Sequence, residues 1–300
     1  MIKKGDKGNS VVEIQTILSL LGYDLIVDGD FGKKTFDAVK KFQTKNGLIV
    51  DGIVGQKTMD ALNAKKPSLN YVDISKLEQV DYGDLNVVKT CPMPENQYIK
   101  TPTSKTQIFL HFTAGAPSAK NTINYWNSNT ERVATAYVVD GDSGVPYEAF
   151  HPDYYGWHLG IKGTNGRLDK TSIGIEICSY GPLKKKYDKF YAWPNSYTTT
   201  TVKPETVCEL EEPFRSFVYY QKFTDEQIKN IEKLLVVLIK KYKIKVQESF
   251  DIKWLDYNQD VINKTLPGIW SHSTVRKDKF DIYPDKRVFE MLNRIAKQFN

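Results

Sequence analysis

The stretch SIGIEIC, residues 172–178, decides the fold of most of this chain. Its isoleucines alternate with Gly174, Glu176 and Cys178, which is the period-2 pattern of a β-strand with one strongly apolar face. Glu176 interrupts this apolar strand, and a carboxylate buried without a partner is energetically expensive. The pattern therefore predicts a core strand whose acidic side chain lies beside a metal ion, a cation or a water-filled cleft.

Neighbouring segments show the same alternation. QIFLHF (107–112) carries His111 on the face opposite its large aliphatic side chains. TAYVVD (135–140) and VPYEAF (145–150) flank a glycine-bearing turn and are typical of a hairpin. Amphipathic helices are predicted after residue 224 and at the C-terminus. These elements predict an α/β domain with a mixed central β-sheet flanked by helices.

The N-terminal region contains an internal repeat. DGDFGKKTFDAV (28–39) and DGIVGQKTMDAL (51–62) match in register, and a fainter copy starts at Gly5. Each copy combines an Asp-Gly turn with apolar positions at helical spacing. We therefore expect a small three-helix domain over residues 1–64.

Residues 65–105 lose the helical periodicity and carry four prolines, so we expect a linker that leads into the α/β domain at 106–300. The longest strongly apolar run, LLVVLI (234–239), is too short to cross a bilayer, and no membrane insertion is expected. The N-terminus lacks the apolar core of a signal peptide, which predicts synthesis in the cytoplasm. The net charge of +6 comes from interspersed acids and bases, so nucleic acid is not an expected partner. We expect a monomer.

The late stretch WSHSTVRKDKFD (270–281) contains His272, one of four histidines, and a run of alternating charges that ends at Asp281. Such a run is most often a solvated loop. A histidine and an aspartate are also metal ligands, so the stretch is either surface or the second half of a metal site. The pattern by itself leaves both interpretations open.

Five segments occur in the order of a known family: LHFTAG (110–115), AYVVD (136–140), GWHLG (156–160), SIGIEIC (172–178) and HSTVRKDKFD (272–281). In this order they resemble the zinc-dependent N-acetylmuramoyl-L-alanine amidases, which share a fold with the peptidoglycan-recognition proteins. The repeat in residues 1–64 resembles the peptidoglycan-binding domain found at the ends of many wall hydrolases. Bacterial peptidoglycan is the partner that both resemblances imply.

The amidase resemblance implies that His111, His272 and Asp281 bind Zn²⁺. Two imidazoles and one carboxylate leave the fourth tetrahedral position for water, as in catalytic zinc sites. Asp278 is the alternative third ligand. His158 is an alternative histidine ligand, although the family places its motif at the substrate groove.

The resemblance also implies catalytic and binding roles. Glu176 corresponds to the general base, and Lys279 to a cation that stabilises the oxyanion. Tyr137 corresponds to a tyrosine that assists in some members, and packing is an equal alternative for it. His158 and Trp157, in GWHLG, are implied to bind substrate.

The chain departs from the family pattern at two places. The family commonly ends its last motif with D-P-G, whereas this chain has DIYPD (281–285), which predicts a differently shaped loop. Residues 180–223 form an insertion after the SIGIEIC strand. Its segment LKKKYDKFYAW (183–193) either lines a glycan groove or forms a plain surface excursion.

Together the resemblances imply a peptidoglycan hydrolase that cleaves the amide between N-acetylmuramic acid and L-alanine with a zinc-activated water. A wall-binding module without a signal peptide is similar to a phage endolysin that reaches the wall at host lysis, and a bacterial autolysin is the alternative. A non-catalytic recognition protein needs neither the metal ligands nor Glu176. A cytoplasmic muropeptide-recycling amidase needs no wall-binding module.

Overall fold

The structure is a computed structural model of the 300-residue chain. It describes residues 1–21, 23, 25, 29–65, 79–89, 92–94, 96–128, 132–193 and 200–300. The chain divides into two compact units, Met1–Gln79 and Val80–Asn300. Much of the expected linker, residues 66–78, lies outside the described residues.

The described residues of the first unit form three helices, which confirms the predicted small helical domain. They are α1 (Asn9–Leu20), α2 (Lys33–Lys45) and α3 (Gln56–Lys65). Helices α2 and α3 begin at equivalent positions of the two repeats, and each follows a turn with a glycine at positive φ, Gly29 or Gly52. Asp28, the first residue of its repeat, lies outside the described residues.

Two buried glutamines hold the turns of the repeats. Gln15 on α1 accepts a hydrogen bond from the N–H of Gly29 at 2.8 Å, and Gln43 on α2 accepts one from the N–H of Gly52 at 2.8 Å. The Gln43 amide also donates to the carbonyl of Ile53 at 3.0 Å. Each helix thus fixes the turn that leads into the next helix, which is why the repeat consists of a turn and a helix.

The second unit contains two sheets. Its strands are β1 (Gln107–Phe112), β2 (Tyr137–Val139), β3 (Pro146–Glu148), β4 (Ser172–Ile177), β5 (Pro182–Lys186), β6 (Lys189–Ala192), β7 (Thr201–Val202), β8 (Val207–Phe214), β9 (Phe217–Gln221) and β10 (Gly268–Ser271). The central sheet has the order β10-β1-β4-β2-β3. Strand β3 pairs antiparallel with β2, as the hairpin prediction requires, and the other pairings are parallel. The predicted mixed central sheet is confirmed.

The register of the parallel strands brings ionisable side chains together. His111 pairs with Glu176 across β1 and β4, so both side chains lie on the same face. Ser271 ends β10, beside β1, and His272 follows it directly. His111, Glu176 and His272 therefore meet at the carboxyl end of the sheet, where open α/β folds bind their ligands.

Helices flank the central sheet. They are α4 (Ala119–Asn127), α5 (Arg167–Thr171), α6 (Asp225–Tyr242), α7 (Gln259–Lys264), α8 (His272–Val275) and α9 (Lys286–Phe299). Helix α6 begins with the predicted capping box of Thr224 and Gln227 and packs against α9. No helix among the described residues is long and apolar enough to span a membrane.

The insertion forms a second sheet that the sequence did not predict. Strands β5 to β9 pair antiparallel in the order β7-β6-β5-β9-β8. This sheet braces the loop that follows α8. The ring of Phe280 lies 5.9 Å from that of Phe217 on β9 and 5.9 Å from that of Phe112 on β1, and Arg215 donates to the carbonyl of Lys277 at 2.7 Å.

Candidate active site

A buried triangle of ligand atoms lies at the carboxyl end of the central sheet. His111 Nδ1, His272 Nδ1 and Asp281 Oδ2 are each 3.1 Å from the other two. Bonds of about 2.0–2.2 Å in a tetrahedral zinc site set ligand atoms roughly 3.3 Å apart. The donor set and its spacing therefore fit a divalent metal ion. It is the one such group of three among the described residues.

Hydrogen bonds behind the triangle fix which imidazole nitrogens face the site. His272 Nε2 lies 3.0 Å from the carbonyl oxygen of Leu159, which only accepts, so Nε2 carries the proton and Nδ1 presents a lone pair. His111 Nε2 lies 2.9 Å from His158 Nδ1, and His158 Nε2 lies 2.9 Å from Ser172 Oγ. Donation from His111 to His158 and on to Ser172 leaves His111 Nδ1 free for a ligand bond. Such outer partners typically orient metal ligands.

The charges of the triangle also suit a cation. The pKa of His111 is lowered to about 4, mainly by burial; the Asp281 carboxylate opposes this shift, and the charge of His272 adds to it. Burial tends to raise the pKa of Asp281, but His272 and His111 together hold that pKa below its usual range. At neutral pH, His111 is therefore neutral and Asp281 is ionised, which is the state that metal binding needs.

Glu176 lies beside this triangle and lacks a partner for one of its carboxylate oxygens among the described residues. Its Oε2 is buried and has no hydrogen-bond partner among the described residues. Burial raises the pKa of Glu176 well above its usual value, the charge of Asp281 raises it further, and Lys279 opposes the rise. A buried carboxylate oxygen without a partner indicates a site that is completed by a ligand, a water molecule or a cation.

Lys279 and Asp278 both lie in the loop after α8, but Lys279 acts on the site electrostatically whereas Asp278 is exposed. The positive charge of Lys279 lowers the pKa values of both Glu176 and His111, so the ammonium group lies within electrostatic reach of the site. Asp278 is exposed and pairs with the guanidinium of Arg276. The structure therefore brings Asp281 to the two histidines and leaves Asp278 at the surface.

His158 is buried and lies behind His111, whereas the substrate-binding role that the resemblance implied for it stays a prediction. It is 7% exposed, and both ring nitrogens are engaged by His111 and Ser172. A Cβ atom on Gly174 would lie 3.0 Å from His158 Nδ1, so the missing side chain makes room for this ring. Trp157 is half-buried and packs over Gly166.

Tyr137 points away from the site. Its partner across β2 and β4 is Ile175, while Val138 pairs with Glu176, so Tyr137 lies on the face opposite Glu176. Its hydroxyl lies 2.7 Å from that of Tyr82. The structure therefore supports the packing alternative for Tyr137.

Asp169 is a site residue that sequence reasoning missed. Its buried carboxylate accepts hydrogen bonds from the backbone N–H groups of His158 and Leu159, each at 3.0 Å. It thereby positions both outer partners of the triangle. In the sequence, Asp169 is one acid within the polar segment RLDKT (167–171), a pattern that does not distinguish it from a surface residue.

An α/β domain that gathers two imidazoles and two carboxylates at the carboxyl edge of its parallel strands has a group of side chains able to hold a metal ion. The chain belongs to the N-acetylmuramoyl-L-alanine amidase family, whose model matches residues 101–284. Residues 7–62 match a second family, described as a putative peptidoglycan binding domain.

Several relatives and solved structures are similar to parts of the chain. N-acetylmuramoyl-L-alanine amidase XlyB of Bacillus subtilis is 34% identical over 119 residues, which cover 39% of this chain and 37% of XlyB. CwlA of the same organism is 31% identical over 96 residues, 31% of this chain and 34% of CwlA. The chain thus spans little more than a third of either relative. The catalytic domain of XlyA is 16% identical, with 72% of this chain and 100% of that chain covered and a TM-score of 0.41.

We predict that Asp169 makes stability depend on pH. Burial raises its pKa to about 6 from 3.8, so the folded state holds this proton more tightly than the unfolded state. Its stabilising contribution is complete below pH 4 and is lost as the pH rises through 6. Relative to Asp169→Asn, the wild type should lose about 2–3 kcal/mol of unfolding free energy between pH 4 and 7.

Urea unfolding with a chelator present, followed by tryptophan fluorescence, measures this difference, because all five tryptophans lie within residues 80–300. Asp188→Asn, on an exposed hairpin tip, controls for charge removal. Parallel pH curves for the wild type and Asp169→Asn contradict the prediction.

Proposed function

We propose that the chain is a peptidoglycan hydrolase that cleaves the amide bond between the lactyl group of N-acetylmuramic acid and L-alanine. The observation that carries this proposal is the buried His111, His272 and Asp281 triangle beside the unpartnered Glu176, within the region that matches the amidase family. In this proposal residues 106–300 carry the chemistry, 65–105 connect, and 1–64 bind the wall.

Zn²⁺ is the metal that we propose for the triangle, since two imidazoles and one carboxylate suit it. Bound there, zinc supplies Lewis acidity that activates water and polarises the amide carbonyl. His158, Ser172 and the Leu159 carbonyl keep the ligand nitrogens oriented. The buried position excludes competing bulk water from the ligand atoms.

Glu176 moves the proton in the proposed reaction. Its Oε2 takes a proton from the attacking water and returns it to the nitrogen of L-alanine as the C–N bond breaks. The Lys279 ammonium offsets negative charge on the carbonyl oxygen and favours the ionised form of Glu176. The products are a lactyl carboxylate and a peptide with a free amine.

Metal content tests the triangle. We expect about one zinc per chain in the wild type and none in His272→Ala, since two ligands do not hold a catalytic zinc tightly. His151→Ala is the matched control, because His151 lies outside the triangle. Elemental analysis after dialysis measures both variants. Full zinc occupancy in a His111→Ala, His272→Ala double variant would sink the assignment.

Product analysis tests the reaction. Purified sacculi incubated with the wild type should yield peptides with new L-alanine N-termini, detected by mass spectrometry. Glu176→Gln should keep its zinc and slow this release by about a hundredfold or more, the scale of general-base loss. New glycan ends, or peptide cuts elsewhere, count against an amidase. Wild-type rates in Glu176→Gln remove Glu176 as the base.

The first unit is proposed to be an anchor without a part in the chemistry. Tethering a wall binder raises the effective concentration of enzyme at an insoluble substrate. A chain of residues 80–300 should therefore cleave soluble muropeptides at nearly the full rate and lose activity on sacculi, while residues 1–79 should pellet with sacculi. Equal loss on both substrates contradicts the anchor role.

We also propose the biological setting. An amidase with a wall-binding module and the bacterial wall as its substrate suits an endolysin that lyses the host cell. In this setting the chain acts as a monomer after release at lysis.

A further inference from the structure

Trp193 of the insertion lies next to the segment that follows β1 at the candidate active site. Trp193 directly follows β6, and its indole Nε1 donates to the carbonyl of Ala114 at 2.5 Å. Tyr180 packs edge-on against the same indole, with ring centroids 5.2 Å apart. These contacts hold Trp193 against the segment that follows β1, although the side chain stays 36% exposed.

Trp193 forms one wall of a pocket that contains Glu176. The pocket has a volume of about 440 Å³, which lies within the common range for small-molecule sites. Two further aromatic side chains of α4, Tyr125 and Trp126, belong to its lining. Tyr125 is 67% exposed, so its ring surface is accessible from solvent.

The chemistry of the pocket lining favours the sugar of the proposed substrate over its peptide stem. It includes the polar side chains of Thr113, Asn121 and Thr122, but no Lys, Arg or His among the described residues. Peptide stems of peptidoglycan carry free carboxylates, which need charged or strongly hydrogen-bonding partners when they leave water. A pyranose ring instead offers apolar C–H faces to aromatic rings and hydroxyls to small polar side chains.

We propose that the exposed rings of Trp193 and Tyr125 form a subsite for a pyranose ring of the glycan strand, with the largely buried Trp126 contributing to its lining. The subsite rests on the proposed function and assigns the insertion a part in substrate recognition. A sugar bound here keeps its lactyl amide next to Glu176 and, through the β1 and β4 pairing, next to His111. The insertion then selects amides that are attached to glycan over the same amide in a free peptide.

A pair of substrates with the same scissile amide tests the subsite. One is a disaccharide peptide, N-acetylglucosaminyl-N-acetylmuramoyl-L-alanyl peptide, and the other is an N-lactoyl-L-alanyl peptide without sugar. Trp193→Ala should lower kcat/KM on the disaccharide peptide by about tenfold, the effect of one lost aromatic contact, and leave the sugar-free substrate unchanged. Tyr187→Ala, an 85% exposed aromatic of the same insertion, is the matched control and should change neither.

Equal loss on both substrates, or no loss on either, overturns the proposal. Tyr125→Ala should show the same selectivity and carries the test if Trp193→Ala fails to fold. If the wild type cleaves neither amide, the proposed reaction fails, and calorimetry still decides the subsite. The free disaccharide should then bind the wild type and not Trp193→Ala, and absence of binding to the wild type overturns the subsite as well.

Discussion

The pairing of His111 with Glu176 across two buried parallel strands is the constraint on which the site depends. It places two ionisable side chains next to each other on one face of a sheet, where water is largely excluded. Neither group is stable there as an isolated charge. The surrounding structure therefore has to supply opposite charge, oriented dipoles or a bound cation, and the neighbouring loops do so.

The segment from 158 to 169, which lies outside the paired strands, helps to meet this constraint. Leu159 contributes a carbonyl oxygen to His272, and His158 contributes a ring nitrogen to His111. Asp169 in turn holds the backbone N–H groups of both residues. The site is thus a set of nested hydrogen bonds, and among the described residues Glu176 Oε2 is the buried side-chain atom of the site that has no partner in it.

The alternation of apolar and polar residues predicted the core strands of this structure. What it could not predict depends on contacts between distant segments. The period of two in 107–112 and 172–178 placed His111 and Glu176 on the polar faces of core strands, and the structure confirms these strands. The face of Tyr137 depends on its register with β4, and a shift of one residue reverses it, which one strand's sequence does not reveal. The partner of His158 depends on a loop and on the space above Gly174. The insertion's strands pack around a small apolar cluster of their own, which includes Leu183, Phe190 and Val202, and which of these strands pair with each other cannot be read from any one strand's sequence.

The contacts between the insertion and the loop after α8 limit how far the second unit can be shortened. Phe280 rests between Phe112 and Phe217, so the loop that carries Lys279 and Asp281 takes part of its support from outside the central sheet. Removal of the insertion alone keeps His111, His272 and Asp281 in the sequence but removes that support. The smallest transferable piece is therefore the whole of residues 80–300, insertion included. The N-terminal unit has its own core and its own glutamine hydrogen bonds, so it can be exchanged as a separate block.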